Sequence, residues 1–183
     1  MRTLTKWSVK DYQHMRDLGI LDHRRCELIN GEIWDMAPEG ASHRFVNHRG
    51  VNYLREVMKD KAEVFEAHPI TLTNSEPQPD IAIVRLPDTR YLKRHPYPED
   101  IYWLIEIADT TLSYDLDTKR KLYATASIKE YWVIDITKRQ LTIFRDLKNG
   151  DFRTQNTVNS GAIHPVAFPN LTIEIHKLVS VPE

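Results

Sequence analysis

Three ionisable residues in this chain have the types and spacing of a metal-assisted hydrolytic centre: Asp80 in "SEPQPDIAIV", Glu106 in "YWLIEIADTT" and Lys119 in "SYDLDTKRKLYATA". Each acid lies at or within an apolar run that reads as a strand. A strand advances only about 3.3 Å per residue, so neighbouring strands can bring the two acids together at one end of a sheet. Converging carboxylates raise each other's pKa unless a cation keeps both ionised, and a hard divalent ion with oxygen ligands does so. A lysine close by adds positive charge that can stabilise a developing phosphorane or orient an attacking water without competing for the metal.

Each residue also has an ordinary structural reading. An acid after Pro79 at a strand start serves as a turn or cap residue, and a lone glutamate in an apolar strand can face solvent or pair with a buried arginine. Alternation in "IYWLIEIA" puts Ile101, Trp103, Ile105 and Ile107 on one face and Tyr102, Leu104, Glu106 and Ala108 on the other, which gives Glu106 apolar neighbours. Lys119 belongs to a "TKRK" run that a solvated helix face explains. The Asp-x-Asp pair in "DLDT" (115 to 118) suggests phosphotransfer, but acids at a helix start complement the macrodipole, so capping accounts for both.

The elements that must position these residues follow from periodicity. "SVKDYQHMRDLG" has a cap at Ser8 and a stop at Gly19, a first short helix. Asn30-Gly31 in "CELINGEIWDM" predicts a hairpin with Glu27 on its first strand, since both turn positions need positive φ. Apolar residues from Ser42 to Lys59 recur at three and four, a long amphipathic helix whose face includes His43, Asn47 and Gly50. Strands are expected over 62 to 72, 79 to 84 and 101 to 108, with a polar, proline-bearing surface loop between the last two. A helix follows Glu106, then a hairpin of "EYWVIDI" and "QLTIFR", and "NLTIEIHKLV" adds a final strand or short element. Strands framed by helices predict an α/β fold, a central mixed β-sheet flanked by α-helices.

Composition excludes several classes. The 183 residues are 41% hydrophobic and 28% charged, with no repeat or Gly/Ser linker, as expected of one domain over 1 to 183. The lone Cys26 rules out an intrachain disulfide and a cysteine-built zinc site. No secretory h-region opens the chain and no run approaches the roughly 18 apolar residues of a membrane span, so a soluble, cytoplasmic protein without a membrane partner is expected. The net charge of -1 leaves no global field to attract nucleic acid, so such contact requires a local patch. No phosphate-binding glycine loop, nucleophile elbow or zinc-protease helix is present.

The ordered motifs "CELINGEIWDMAPEGASH", "PDIAIV", "YWLIEIADTT" and "YDLDTKRKLYATASIKEYWVID" resemble the Uma-two family of restriction endonucleases, a branch of the PD-(D/E)XK nuclease superfamily, over about residues 20 to 176. The resemblance implies a restriction-endonuclease-like sandwich. It implies Asp80 and Glu106 as ligands of Mg²⁺ or Mn²⁺, with the backbone carbonyl of Ile107 completing the protein's share and several waters retained. It gives the lysine role to Lys119 and places Glu27 and His43 near the site. His43, at a helix start with no second His or Cys at ligand spacing, also reads as a packing or capping residue. The superfamily lysine usually stands two residues after the second acid, where this chain has Ala108; Lys119 would reach back from the next helix. Lys121 competes for that role but lies about 200° round an α-helix from Lys119.

Two functions are open on these grounds. One is a metal-dependent endonuclease acting on DNA, as a possible homodimer, with Arg85, Arg90, Lys93 and Arg94 of the loop and Lys119, Arg120 and Lys121 contacting the substrate. The other is a catalytically silent module of the same fold that binds nucleic acid or protein. The near-neutral charge favours the second, and the intact set of acids and lysine the first.

Overall fold

Helix α1 (Val9–Asp17), the hairpin β1 (Cys26–Ile29) and β2 (Glu32–Asp35), and helix α2 (Ala41–Val57) precede the sheet that carries the two acids. In the computed structural model, which describes residues 3–180, that sheet has six strands in the spatial order in which they occur in the chain. They are β3 (Glu63–Glu66), β4 (Ile81–Val84), β5 (Ile101–Ala108), β6 (Tyr131–Asp135), β7 (Gln140–Lys148) and β8 (Asp151–Val158). Every adjacent pair is antiparallel apart from β5 and β6, which run parallel. That parallel step needs a crossover. Residues 112 to 125 supply it as α3 (Leu112–Tyr114), a π turn (Asp115–Lys119) and α4 (Arg120–Thr125).

Both faces of the inner strands are covered, which is why they read as near-continuous apolar runs. On one face Trp103, Ile105 and Trp132 pack with Val46, Val51 and Leu54 of α2 and with Ile175 and Leu178 of α5 (Ile175–Val179). On the other, Leu104, Tyr131 and Phe144 pack with Leu122 and Tyr123 of α4. The predicted alternation along β5 fails at its first two residues. The register slips between Ile83 and Val84, so Ile101 joins the second cluster while Tyr102 packs against the first.

Local chemistry explains the other boundaries. Ser8 and Asp11 form a reciprocal capping box on α1, an arrangement that stabilises a helix start by about 1 kcal/mol. Asn30 and Gly31 take φ of 50° and 77°, as the hairpin requires. The strand expected over 62 to 72 stops at Glu66. Ala67 turns to φ 49°, Pro69 has no N–H for a ladder, and Ile70 and Leu72 donate instead to Pro77 and Ser75 carbonyls. Strand β8 was not foreseen, although Asn149 and Gly150 (φ 54° and 72°) carry a hairpin signal before it, because its residues are almost all polar and only Phe152 is buried. The terminal "NLTIEIHKLV" splits into α5 and the two-residue strand β10 (Ile173–Glu174), which pairs with β9 (Ala162–Ile163) apart from the main sheet. Among the described residues no helix is long and apolar enough to cross a membrane.

The basic loop expected to meet substrate lies away from the acids, and its arginines have structural partners. Val84 pairs with Ile101, which puts residues 85 to 100 at the end of β4 and β5 opposite the acids, about 16 Å along the strand from Glu106. Arg90 and Arg94 grip the two oxygens of Asp100, which is 1% exposed, at 3.0 and 2.6 Å, and Tyr97 N–H adds a third bond. Arg85 donates to the Glu99 carbonyl and lies 4.7 Å from the Tyr102 ring centre. Burial pushes the Asp100 carboxyl up, but Arg94, the Tyr97 N–H and Arg90 outweigh it and hold it at about 2. A carboxyl depressed from the ordinary value contributes at most about 2 kcal/mol, present in full above about pH 4 and lost as pH falls through about 2. Asp100→Asn is therefore expected to lower unfolding free energy by about 2 kcal/mol at pH 7, with the gap from wild type closing between pH 4 and 2 in urea titrations.

Candidate active site

Strand β4 starts at Ile81, paired with Ile105, whereas β5 continues to Ala108. The last turns of β5 therefore lack a strand neighbour on that side, and Asp80 fills the place. Its Oδ2 accepts the Ile107 N–H at 2.7 Å, and its own N–H points at Glu106 Oε2 at 3.4 Å. Leu104 N–H and the Ala108 carbonyl engage the β6 side, so the odd-numbered backbone groups, including those of Ile107, face Asp80. The two acids meet at this sheet end because of the register.

Glu106 points to the face covered by α4. There Tyr123 O–H donates to Glu106 Oε1 at 2.5 Å, and the Lys119 ammonium lies 3.6 Å from the same oxygen. Lys119 itself is 5% exposed and donates to Glu27 Oε2 at 2.8 Å, a carboxylate that also accepts the Gln78 N–H at 3.2 Å. Burial pulls the Lys119 pKa down, but Glu106 and Glu27 outweigh it and hold the ammonium above its ordinary value. Burial pushes Glu106 well above the usual carboxylate range; Lys119 opposes this, and Asp80 and Asp115 add to it.

The π turn aligns these groups. Asp115, Lys119 and Tyr123 are four residues apart, and in a regular α-helix each step of four drifts about 40°. Arg120 N–H instead reaches back five residues to the Asp115 carbonyl, and this slower winding counters the drift, so all three side chains are buried toward the sheet. Lys121 stays outside, paired with Asp117 at 2.6 Å with both side chains 60% exposed. Arg120 turns away to pair with Asp151.

From the other side, His43 at the start of α2 meets Asp80 Oδ2 through Nε2 at 3.1 Å and Glu39 Oε1 through Nδ1 at 3.0 Å. Burial lowers the imidazole pKa, yet Asp80 and Glu39 override it and bring it to about 9. One helical turn on, Asn47 is buried with its Oδ1 unpartnered among the described residues. Glu27, His43, Asn47, Asp80, Glu106 and Lys119 line a cavity of about 780 Å³.

Asp80, Glu106, Lys119, Glu27 and His43 are thus brought together, and Lys121 and the 85 to 100 arginines are not. Sequence reasoning missed two members. Asp115 was read as a cap, but it is buried in the cavity wall and accepts the Thr111 hydroxyl at 2.6 Å. Burial raises it to about 6, against the opposing pull of Thr111 and Lys119. Its companion Asp117 caps no helix either; it is exposed within the π turn and pairs with Lys121. Tyr123 carried a usable signal, the spacing of four from Lys119.

Fold and site define a mixed-sheet α/β sandwich with an acid and lysine cluster at one sheet end. The family model described as "Putative restriction endonuclease", Uma2, matches residues 9–176. The chain belongs to that family. A crystal structure of a protein from Anabaena variabilis ATCC 29413, described as a putative nuclease belonging to DUF820, shares the fold. It superposes with a TM-score of 0.69 at 18% identity, over 86% of this chain and 90% of that one. No curated protein matches the sequence.

Removing one member of a buried ion pair leaves the other charge uncompensated. Lys119→Met is expected to cost about 3 kcal/mol of stability at pH 7, and Lys121→Met less than about 0.5, as read by urea unfolding.

Proposed function

We propose that this chain is a divalent-cation-dependent nuclease that hydrolyses phosphodiester bonds in DNA at the Asp80 and Glu106 end of the sheet. The observation that carries this reading is charge. Five carboxyl groups, Glu27, Glu39, Asp80, Glu106 and Asp115, share the cavity with one ammonium, Lys119, and one imidazolium, His43, and burial with mutual repulsion pushes Glu106 and Asp115 above the usual carboxylate range. A divalent cation at the Asp80 and Glu106 end would hold those acids ionised.

The donor set fits a hard ion of modest demand. Among the described residues no three His, Cys, Asp or Glu side chains form a metal-binding group alone, as a zinc or calcium cage would require. Mg²⁺ needs fewer protein ligands and keeps waters. Asp80 uses only Oδ2 for Ile107 and His43, which leaves Oδ1, while Tyr123 and Lys119 occupy Glu106 Oε1 and leave Oε2 with one long contact. Those two oxygens and the Ile107 carbonyl would hold Mg²⁺ or Mn²⁺, which when bound supplies phosphate polarisation and a lower pKa for water.

The chain's own groups do the rest. Tyr123 fixes the Glu106 carboxylate, and burial with the neighbouring carboxylate keeps its phenol protonated as the donor. His43 and the Ile107 N–H fix Asp80. Water oxygen bonds to phosphorus and gives up one proton to solvent as the bond from phosphorus to the departing sugar oxygen breaks, and that oxygen takes up one proton, so the protons balance. Lys119, retained as an ammonium, stabilises the negative charge growing on the phosphate oxygens and does not serve as the base. Cutting both strands of a duplex would use two such sites, as in a two-fold homodimer.

Purified protein should cleave supercoiled plasmid or single-stranded DNA with Mg²⁺ or Mn²⁺ and not with EDTA. Asp80→Ala and Glu106→Ala should abolish cleavage, and Lys119→Ala should slow it by about 100-fold. Acid variants as active as wild type would overturn the site. Absence of both cleavage and calorimetric Mn²⁺ binding would replace this reading with the interaction module.

A further inference from the structure

The hairpin that delivers Glu27 also delivers an aromatic ring. Glu27 and Trp34 are directly opposed in the β1–β2 pair, so their side chains leave the same face of the hairpin, with Cβ atoms about 5 Å apart. Glu27 turns inward to Lys119. Trp34 is 53% exposed and carries that face to the rim of the same cavity. The chain's other strand tryptophans, Trp103 and Trp132, are fully buried in the core. An exposed indole at the rim of a polar cavity presents a flat face on which a planar partner can stack.

The rim around it offers cations to a polyanion. Arg25 and Arg44 are exposed, line the cavity and enter no ion pair among the described residues, whereas Arg24, next to Arg25, is paired with Asp35; the exposed acids Asp35, Glu39 and Asp109 share that rim. The cavity floor is net negative, so attraction for a phosphate chain must come from its edge. This is the local patch that a net charge of -1 demands.

We propose that Trp34 is a stacking platform for a nucleobase next to the phosphate at the Asp80 and Glu106 centre, with Arg25 and Arg44 holding the flanking backbone. The substrate is then a nucleic acid with an unpaired base at that point, a single strand or a melted junction. In an intact duplex both faces of each base are covered by its neighbours, and an indole ring reaches a base face only where the stack is open. This inference rests on the nuclease reading and names the substrate class of that site.

The test compares binding, by fluorescence anisotropy in Ca²⁺, of a short oligothymidylate, an abasic strand of equal length and a blunt duplex. Trp34→Ala should weaken oligothymidylate binding about 5- to 150-fold, and Trp34→Phe, which keeps an aromatic face, should restore most of it. The abasic strand should bind wild type and Trp34→Ala alike. Oligothymidylate binding unchanged in Trp34→Ala, or equal wild-type affinity for abasic and base-bearing strands, would overturn the proposal. So would a wild-type preference for the duplex. Cleavage without any Trp34 effect removes this inference and leaves the nuclease standing; Trp34-dependent binding without cleavage in Mg²⁺ or Mn²⁺ does the reverse.

Discussion

A buried ammonium dictates much of this architecture. Lys119 has almost no access to water, and an unpaired charge in that position would cost several kcal/mol. Its bond to Glu27 spans 92 residues of sequence, and its approach to Glu106 reaches the middle of the sheet. The hairpin, strand β5 and the crossover helix are therefore tied at one point. The same pairing leaves the centre over-supplied with carboxylates, so the cluster that is held by one cation has capacity for another.

The position of the centre is a consequence of unequal strand lengths. Strand β5 outruns β4, and the backbone of Ile107 is left facing the place where the next residue of β4 would have paired. Asp80 occupies that place with a carboxylate instead of a peptide group. A sheet end with unsatisfied backbone is where a polar side chain is needed, and here that need and the proposed chemistry coincide. The π turn serves the same geometry from above by keeping Asp115, Lys119 and Tyr123 in one line.

Charge is distributed by local use. Arginines that form a basic cluster in sequence are engaged by Asp100 and by carbonyls at the far end of the sheet, so clustering in sequence did not place them beside the acids. Arginines that look unremarkable in sequence, Arg25 and Arg44, stand at the rim of the acidic cavity. A near-neutral chain can present a local site in this way, with arginines that enter no ion pair among the described residues at the edge of an acid-lined cavity.

Local pattern was enough for most of the elements, and it nominated the acid pair without deciding it. Period-two and helical repeats, the Asn30-Gly31 turn and the Ser8 cap depend on neighbours a few residues away, and they were legible for that reason. Asp80 and Glu106 stood out by their place at or within apolar runs, and Lys119 was singled out by the family resemblance, since a solvated helix face explained it locally. Folding in three dimensions decided the rest. Whether Asp115 was a cap or a cavity wall depended on one extra residue in a helical turn. Whether Lys119 or Lys121 faced inward depended on Glu27, far away in the chain. The side of β5 that Ile101 faced depended on a one-residue slip against β4, and the fate of the loop arginines on a buried Asp100. These outcomes are set by partners remote in sequence, since the stabilisation of a buried charge or a strand register comes from groups that no local window contains.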